Sequence, residues 1–292
     1  MLPHIDSTGP TLNCAGRRLD FSRPHVMGVI NTTPDSFSDG GALYRDGLLD
    51  VDLALATARD MVSCGAAILD IGGESTRPGA APITLAQEMD RVLPLVEAVA
   101  GELDVVISVD TSSPDLMREA AAAGAGLLND VRALSRDGAL EAAAATGLPV
   151  CLMHMQGEPG TMQVDPAYGD VVQEVSDYLT RRVQACEAAG MGRDRLLLDP
   201  GFGFGKSVQH NLQLLRNLAQ LAGQGLPLLV GLSRKSMIGK LIDREVDQRL
   251  PASLALAVLA VERGAAIIRT HDVSATVDAL AMWVAMEKTG EG

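Results

Sequence analysis

The sequence repeats one pattern from Val26 onward: a short apolar run ends in polar residues, and a longer segment of helical character follows. Each apolar run is too short for a helix and suits a strand that is buried on both faces. The predicted strands are 26–30, 66–73, 105–109, 126–130, 149–154, 195–200, 228–235 and 266–272. The predicted helices are 49–63, 84–100, 114–123, 138–145, 168–189, 210–221, 252–262 and 274–286.

This alternation predicts a (β/α)8 TIM barrel, because strands that alternate strictly with helices through short connections form a parallel sheet. A doubly wound open sheet is the alternative. No linker interrupts the alternation, so residues 21–292 are predicted to form a single barrel domain. Residues 1–20 are predicted to be an N-terminal extension that is partly flexible and contains a short hairpin. In a barrel, the carboxyl ends of all strands meet at one rim, where barrel enzymes carry their chemistry.

Composition and charge narrow the possible partners. The chain has 292 residues and a formal net charge of −13, which argues against nucleic acid or an anionic membrane as a partner. An anionic substrate would need cations or a metal ion at its own site. The four cysteines show no close pairing and no C-x-x-C spacing, which predicts reduced thiols. Without an apolar leader or a membrane-length apolar run, we expect a cytoplasmic protein.

Polar side chains collect at the ends of the predicted strands. They are Asn31, Thr76, Arg77, Asp110, Asn129, Met153, His154, Asp199, Phe204, Lys235, Arg269 and His271, with Met153 and Phe204 as the apolar members. Each has an ordinary explanation when it is taken alone: Asp110 or Asp199 could cap a helix, and His271 could be a hydrogen-bonded core residue. Their occurrence together at one rim favours a binding site.

Two groups can be separated at this rim. The first offers two acceptors, an amide and a cation that match the edge of a flat heterocycle: Asp110, Asn129, Asp199 and Lys235. The second combines Arg269 and His271 with the start of the last predicted helix near Ser274, and such groups bind phosphate. Asn31 would add a neutral oxygen ligand for Mg²⁺ beside that phosphate. The segment 201–207 is close to a P-loop, but Pro200 stands where that motif requires glycine.

The polar motifs resemble those of the dihydropteroate synthase family, the folate-pathway enzymes that sulfonamides inhibit. The matching segments are 27–41 (MGVINTTPDSFSDGG), 70–79 (DIGGESTRPG), 108–111, 129–131, 198–206 (LDPGFGFGK), 231–236 and 269–273. Seven motifs in register over nearly the whole chain after Val26 are a specific signal. Thr32 and Thr270 stand where the family often has valine, and they leave the polar positions unchanged. The resemblance implies transfer of a dihydropterin-methyl group from its diphosphate to the amine of 4-aminobenzoate, giving 7,8-dihydropteroate.

The resemblance also implies a role for each matching residue. The pterin would be bound or enclosed by Asp110, Asn129, Val131, Met153, Asp199, Phe204, Gly231 and Lys235. The diphosphate and its Mg²⁺ would be held by Asn31, Arg269 and His271. The 4-aminobenzoate would contact Phe37, Thr76, Pro78, Lys235 and Ser236. The catalytic residues would be Asp110, Lys235, Asp39 and Arg77, the last two in the loops 31–41 and 74–79, which would close over the site.

The family further implies a homodimer formed through helices late in the chain. Two alternative functions remain open. A barrel that transfers a methyl group from methyltetrahydrofolate to a corrinoid could share the pterin residues, but it needs no diphosphate site. A catalytically silent paralogue that only binds a pterin or a protein would have lost loop or anion-binding residues, and all of them are present.

Overall fold

The computed structural model describes residues 11–33, 43–45, 48–75, 82–158 and 160–288. The strands within them are β1 (Thr11–Cys14), β2 (Arg17–Asp20), β3 (His25–Asn31), β4 (Tyr44–Arg45), β5 (Leu48–Leu49), β6 (Ile68–Gly72), β7 (Val106–Asp110), β8 (Leu127–Asp130), β9 (Val150–Met153), β10 (Leu196–Asp199), β11 (Leu228–Val230) and β12 (Ala265–Thr270). The α-helices are α1 (Val51–Ser63), α2 (Leu85–Glu102), α3 (Pro114–Ala123), α4 (Ala139–Thr146), α5 (Val171–Ala188), α6 (Val208–Arg216), α7 (Leu218–Ala222), α8 (Ser236–Ile242), α9 (Leu250–Glu262) and α10 (Val273–Lys288).

Eight parallel strands close into a barrel. Its strand order is β10, β11, β12, β3, β6, β7, β8 and β9, and β9 pairs with β10. The pairing of β12 with β3 joins the last barrel strand to the first, so the sheet is not an open doubly wound one. The predicted (β/α)8 barrel is therefore confirmed, and all its strands direct their carboxyl ends to the same rim.

An apolar layer fills the lower half of the barrel. It takes one buried side chain from each strand: Met27, Ile68, Val106, Leu127, Cys151, Leu197, Leu229 and Ile267. The residues next to these along the strands pack instead against the helices, as the alternation of side chains in a strand requires. We call these eight residues the apolar layer.

The predicted N-terminal hairpin is confirmed and closes the bottom of the barrel. Strands β1 and β2 pair antiparallel, and their apolar side chains, together with Phe21, join the apolar layer. Gly126, just before β8, makes room for this hairpin, because a Cβ there would lie 3.0 Å from the carbonyl oxygen of Cys14. The hairpin thereby covers the end of the barrel opposite the strands' carboxyl ends.

Local sequence signals explain where several helices begin and end. Thr84 and Gln87 form a reciprocal capping box at the start of α2. Pro114 occupies the first turn of α3, where its missing N–H costs nothing, and Gly124 ends that helix with a φ of 112°. These are the boundaries that the sequence predicted most closely.

Some of the predicted elements were wrong. The single helix predicted over 210–221 is two helices, because Asn217 leaves helical geometry and its amide donates to the carbonyl oxygen of Gln213. Strand β11 ends at Val230, earlier than predicted, and the helix α8 and the hairpin of β4 and β5 were not predicted. Among the described residues, no helix combines the length and apolar character that crossing a membrane requires.

Candidate active site

A polar layer lies directly above the apolar layer. Two residues after these along the chain are Val29, Asp70, Ser108, Asn129, Met153, Asp199, Gly231 and Arg269, of which Gly231 lies just past the end of β11. Side chains alternate along a strand, so these residues also face the barrel interior, one step nearer the rim. Most of them are polar or charged, so the interior changes from apolar to polar over one step. We call these eight residues the polar layer.

The register of the strands brings residues of the rim to one level. Asn31 at the end of β3 is aligned with Gly72, and Gly72 is aligned with Asp110 on β7. Asp110 is in turn aligned with Asn129 on β8. Gly72 provides space in this row, since a Cβ there would lie 3.3 Å from the Cβ of Asp110. Three predicted site residues on three strands therefore lie side by side.

A cavity of about 640 Å³ opens above the polar layer. This volume includes the open space at the mouth of the cavity. The described residues that line it are Asn31, Thr33, Glu74, Ser75, Asp110, Asn129, Val131, Met153, Asp199, Phe202, Phe204, Gly231, Lys235 and Arg269. Asp199 and Arg269, which the sequence analysis assigned to different groups, thus open into the same cavity.

The fully buried carboxylate of Asp70 organises the floor of the cavity. Its Oδ1 accepts a hydrogen bond from Ser108 Oγ at 2.6 Å. Its Oδ2 accepts one from Asn129 Nδ2 at 3.1 Å and another from Arg269 Nε at 2.6 Å. Arg269 Nη2 also donates to Asp110 Oδ2 at 3.2 Å. One guanidinium therefore bridges two carboxylates, and Asp70 fixes the orientation of three polar neighbours.

Burial changes the protonation of the acids in the cavity. It is the main cause that raises the pKa of Asp110 to about 8, and the negative charge of Asp70 raises this pKa further. The positive charge of Arg269 offsets part of the increase. Burial also raises the pKa of Asp199. Burial and the neighbouring Asp70 therefore favour the protonated form of Asp110.

The loop after β10 forms one wall of the cavity. Gly201 N donates to Asp199 Oδ1 at 2.7 Å and fixes that carboxylate. Gly201, Gly203 and Gly205 have φ values of 68°, 81° and 61°, which other residues rarely adopt. A Cβ on Gly201 would also lie 1.8 Å from the carbonyl oxygen of His154. The alternating glycines let this tight loop present Phe204 to the cavity.

Lys235 reaches into the cavity from the segment after β11. Its Nζ lies 4.4 Å from the centre of the Phe204 ring, which is a cation–π distance. Burial, followed by the charge of Arg269, lowers the pKa of Lys235 to about 8. The pKa of this ammonium group is therefore close to neutral pH, so Lys235 can lose or share a proton more readily than an exposed lysine.

His271 lies next to the cavity rather than in its lining. Its Nδ1 is 3.1 Å from Ser233 Oγ, and its backbone N–H donates to the same hydroxyl. Burial, and then the charge of Arg269, lowers the pKa of His271 to about 3, so the imidazole is neutral. The neighbouring Arg234 pairs with Asp272 at 2.5 Å while its backbone has a φ of 54°. His271 therefore contributes hydrogen-bonding groups and no positive charge.

A second buried ion pair anchors the start of the loop 74–79. Arg132, which is 8% exposed, donates to both carboxylate oxygens of Glu74 at 3.1 and 3.3 Å. Arg132 Nη1 also donates to Ser112 Oγ at 3.1 Å. Glu74 lines the cavity, so its negative charge there is balanced by a bidentate partner.

Ten of the predicted site residues line the one cavity: Asn31, Asp110, Asn129, Val131, Met153, Asp199, Phe204, Gly231, Lys235 and Arg269. Three predicted residues do not line it: His154, His271, and Ser236, which is exposed at the start of α8. Phe37, Asp39, Thr76, Arg77 and Pro78 lie outside the described residues. Their predicted roles stay predictions.

The sequence matches the family model for pterin binding enzymes over residues 27–271. The chain belongs to the pterin-binding enzyme family. Dihydropteroate synthase of Escherichia coli K12 is 56% identical over 265 residues, which are 91% of this chain and 92% of that protein. Yersinia pestis dihydropteroate synthase, solved with a sulfonamide drug complex, has a TM-score of 0.92 and 52% identity over 95% of this chain and 99% of that one. Xanthomonas albilineans dihydropteroate synthase in complex with 7,8-dihydropteroate has a TM-score of 0.85 and 47% identity over 95% and 99%.

The family assignment confirms the resemblance, but the sequence analysis missed polar members of this pterin-binding site. Asp70 and Ser108 lie inside apolar runs and not at their ends. The signal that could have identified them is the period of two, because they share the inward register of Asn129 and Asp199. Glu74 was placed in a loop without its partner Arg132, which is distant in sequence.

The described residues of this pterin-binding enzyme offer few ligands for a metal ion. They contain no cluster of three or more His, Cys, Asp or Glu side chains with suitable spacing. Asn31 at the cavity supplies one neutral oxygen. A single protein ligand fits a Mg²⁺ ion that arrives bound to a phosphate group, since Mg²⁺ keeps several waters and takes substrate phosphate oxygens.

Proposed function

We propose that this protein is a dihydropteroate synthase: it condenses 7,8-dihydropterin-6-ylmethyl diphosphate with 4-aminobenzoate to give 7,8-dihydropteroate and diphosphate. The observation that carries the proposal is the single cavity in which acceptors, an amide, two cations and an aromatic wall meet. The similarity to dihydropteroate synthases, one of them solved with 7,8-dihydropteroate, supports the same reaction.

The cavity suits a flat heterocycle with several donors and acceptors along its edge. Asn129 and Asp199 would bind the donor edge of the pterin, and Lys235 would donate to a ring nitrogen or carbonyl. Phe204, Met153 and Val131 supply the apolar surfaces between which a ring can lie. Gly231 has no side chain, which leaves the ring space to approach the backbone of the barrel.

Asp110 would stabilise the positive charge that forms during a dissociative transfer at the pterin methylene. Its pKa of about 8 means that a small change in local charge moves it between the neutral and the ionised form. Positive charge that develops on the pterin as diphosphate leaves favours the carboxylate form, so the Asp110 that acts in the reaction would be the fraction that is already ionised when the substrate binds. Asp110 would then face this cation as an anion in a cavity that excludes most water.

Arg269, His271 and Asn31 would hold the diphosphate. Arg269 uses its Nε and one Nη2 proton on Asp70 and Asp110, so three of its five N–H donors are left for phosphate oxygens. Neutral His271 would add a hydrogen bond to the same group. A Mg²⁺ ion bound to the diphosphate and to Asn31 would neutralise charge on the leaving group.

Lys235 and Ser236 would help to bind 4-aminobenzoate, together with Phe37, Thr76 and Pro78. Asp39 and Arg77 would complete the site when the loops 31–41 and 74–79 close. The arrangement explains why the carboxylate of Glu74 is anchored by Arg132: the second loop then starts from a fixed point. Sulfonamides, which resemble 4-aminobenzoate in shape and charge, would compete for this part of the site.

The assembly and the compartment are part of the same proposal. We expect a homodimer formed through α9 and α10, which pack together and expose Leu259 and Met282 at 37% and 72%. A cytoplasmic location is supported by the four cysteines, all of which are free thiols. The protein would meet small anionic substrates there, and neither nucleic acid nor a membrane is expected as a partner.

One assay tests the reaction. Purified protein is given the pterin diphosphate and Mg²⁺, with and without 4-aminobenzoate, and diphosphate release is followed together with the appearance of dihydropteroate. We expect product only when both substrates are present, and inhibition by a sulfonamide that 4-aminobenzoate relieves. Pterin binding without any diphosphate release would instead support a silent paralogue, and methyl transfer from methyltetrahydrofolate to a corrinoid would support the methyltransferase.

A further inference from the structure

Lys206 is a buried cation that the reaction above does not use. It is 3% exposed and does not line the cavity. Its Nζ donates to the carbonyl oxygens of Gly201 at 2.9 Å, Phe204 at 3.0 Å and His154 at 3.3 Å. It also lies 2.9 Å from His154 Nδ1. Burial lowers the pKa of Lys206 to about 7, but the three carbonyl oxygens can only accept hydrogen bonds, so the ammonium form, which has three protons to donate, is the form that fits this position.

These contacts join two separate strands of the barrel. His154 follows β9, whereas Gly201 and Phe204 belong to the loop that follows β10. Lys206 therefore lies where this loop folds back on itself and on the neighbouring strand end. The ammonium group of Lys206 thus binds several backbone carbonyl oxygens at once, as a metal ion can. Without a cation, these oxygens would face one another inside a buried space, which is costly.

The same loop forms one wall of the cavity and holds Asp199, which also lines it. At its start, Gly201 N donates to the carboxylate of Asp199. Near its end, the ring of Phe204 lies under the ammonium group of Lys235. Both contacts depend on the backbone path between positions 201 and 204, whose carbonyls Lys206 holds at the two ends. The hydroxyl of Tyr168 supports the loop from outside by donating to the Gly205 carbonyl at 2.8 Å.

Lys206 follows a glycine-rich loop, as the lysine of a P-loop does, but its surroundings differ. A P-loop lysine points at the phosphates of a nucleotide. Here the ammonium group contacts protein carbonyls and an imidazole nitrogen, and Lys206 does not line the cavity. A phosphate-binding role is therefore incompatible with its position.

We propose that Lys206 is a positioning residue for the pterin: its ammonium group holds the loop 201–205 so that Asp199 and Phe204 are correctly placed in the cavity. This inference rests on the proposed function, and it assigns to Lys206 a part in substrate selectivity. Binding of the pterin diphosphate depends on the ammonium group of Lys206, whereas binding of 4-aminobenzoate does not. Loss of the cation should thus change one substrate's binding far more than the other's.

The test compares Lys206→Met with Lys240→Met. Methionine keeps the length and apolar stem of the lysine and removes only the charge and its donors, and Lys240 is an exposed lysine of α8. We expect Lys206→Met to raise the KM for the pterin diphosphate roughly tenfold or more, because small misplacements of binding groups have effects of this size. The KM for 4-aminobenzoate should change by less than about twofold, and Lys240→Met should behave as the parent protein does.

Hydrogen exchange supplies a second measurement. In Lys206→Met, the amide protons of Gly201 and Phe204 should exchange faster, while those of β3 and β7 keep their protection. Parallel losses for both substrates, or an unchanged KM for the pterin diphosphate, would overturn the proposal. If Lys206→Met does not fold, Tyr168→Phe takes its place, since it removes one hydrogen bond from the same loop. A smaller rise confined to the pterin KM supports the proposal, and no change overturns it.

The two proposals fail in different ways. If the parent protein releases no diphosphate under any condition, the reaction is wrong, and pterin affinity measured by calorimetry then replaces KM. If the parent protein is active and Lys206→Met matches it, only the role of Lys206 is wrong.

Discussion

Replacing Asp70 by asparagine should move the proton equilibrium of Asp110. Asparagine has the size of aspartate and can keep hydrogen bonds to Ser108, Asn129 and Arg269, so Asp70→Asn removes a charge with little change in shape. The negative charge of Asp70 is the second cause, after burial, that raises the pKa of Asp110 to about 8. Without it, Asp110 becomes the main carboxylate partner of Arg269.

The size of the effect follows from the geometry. Both carboxylates contact the same guanidinium, Asp70 at 2.6 Å and Asp110 at 3.2 Å, so they are close neighbours. Two charges roughly 5 Å apart in a medium of effective dielectric constant about 20 repel each other by about 3 kcal/mol. Removing that repulsion should favour the ionised form of Asp110 on the order of a hundredfold. The pKa of Asp110 in the variant should therefore fall well below 8, toward neutral or acidic pH.

Carbon-13 NMR of protein labelled at the aspartate carboxyl carbons measures this directly. Asp110→Asn identifies the resonance of Asp110 by its loss, and thermal unfolding shows whether Asp70→Asn keeps its fold. Ser108→Ala is the matched control, because it removes one hydrogen bond from Asp70 and keeps the charge. An Asp110 that titrates at the same pH in the parent protein and in Asp70→Asn would refute the electrostatic coupling between these two acids.

The remaining predictions concern stability, binding, metal and loops. Because folding raises the pKa of Asp110, the stability that protonated Asp110 contributes is complete below about pH 4 and is lost as the pH rises to about 8. The unfolding temperature of Asp110→Asn, measured relative to that of the parent protein, should therefore rise between these two pH values. A difference that stays constant with pH would contradict a raised pKa. Lys235→Met should weaken pterin binding by about 1–3 kcal/mol in calorimetry, since a buried partner is left unpaired. Chelation of Mg²⁺ should abolish turnover, and Asn31→Ala should raise the Mg²⁺ concentration needed for half-maximal rate; full activity in chelator would remove the role of Asn31. Replacing Asp39 or Arg77 should impair use of 4-aminobenzoate more than binding of the pterin diphosphate, and equal losses would count against loop closure.

The barrel could be predicted because its strands are short apolar runs with polar ends. The end residues of these runs, such as Asn129 and Asp199, were also predicted, and both line the cavity. Asp70 was missed because it lies inside an apolar run, and that apolar run is what made its strand recognisable. A strand buried on both faces has no visible alternation until the inward register is known, so a polar residue in its middle has no assigned side.

The length of side chains also limited how much of the site could be predicted from the sequence. Arg269 was assigned to the residues predicted to bind phosphate, because it lies near His271 and the start of a helix in the sequence. The structure shows that its guanidinium extends across the polar layer to Asp70 and Asp110, which belong to strands β6 and β7. No spacing in the sequence indicates such a contact, since the partners are 199 and 159 residues away. The helix after β11 was missed because a segment as short as α8 has no detectable period.

These contacts make the two predicted groups of residues one electrostatic unit. Asp70, Asp110 and Asp199 carry three potential negative charges, and Arg269 and Lys235 carry two positive ones. Protonation of Asp110, which its raised pKa favours, leaves this unit with no net charge. Arg132 likewise balances Glu74 at the edge of the cavity. A protein with a net charge of −13 therefore presents a nearly neutral cavity to a diphosphate. In the proposed reaction, the ionised form of Asp110 is the one that would stabilise a pterin cation beside it.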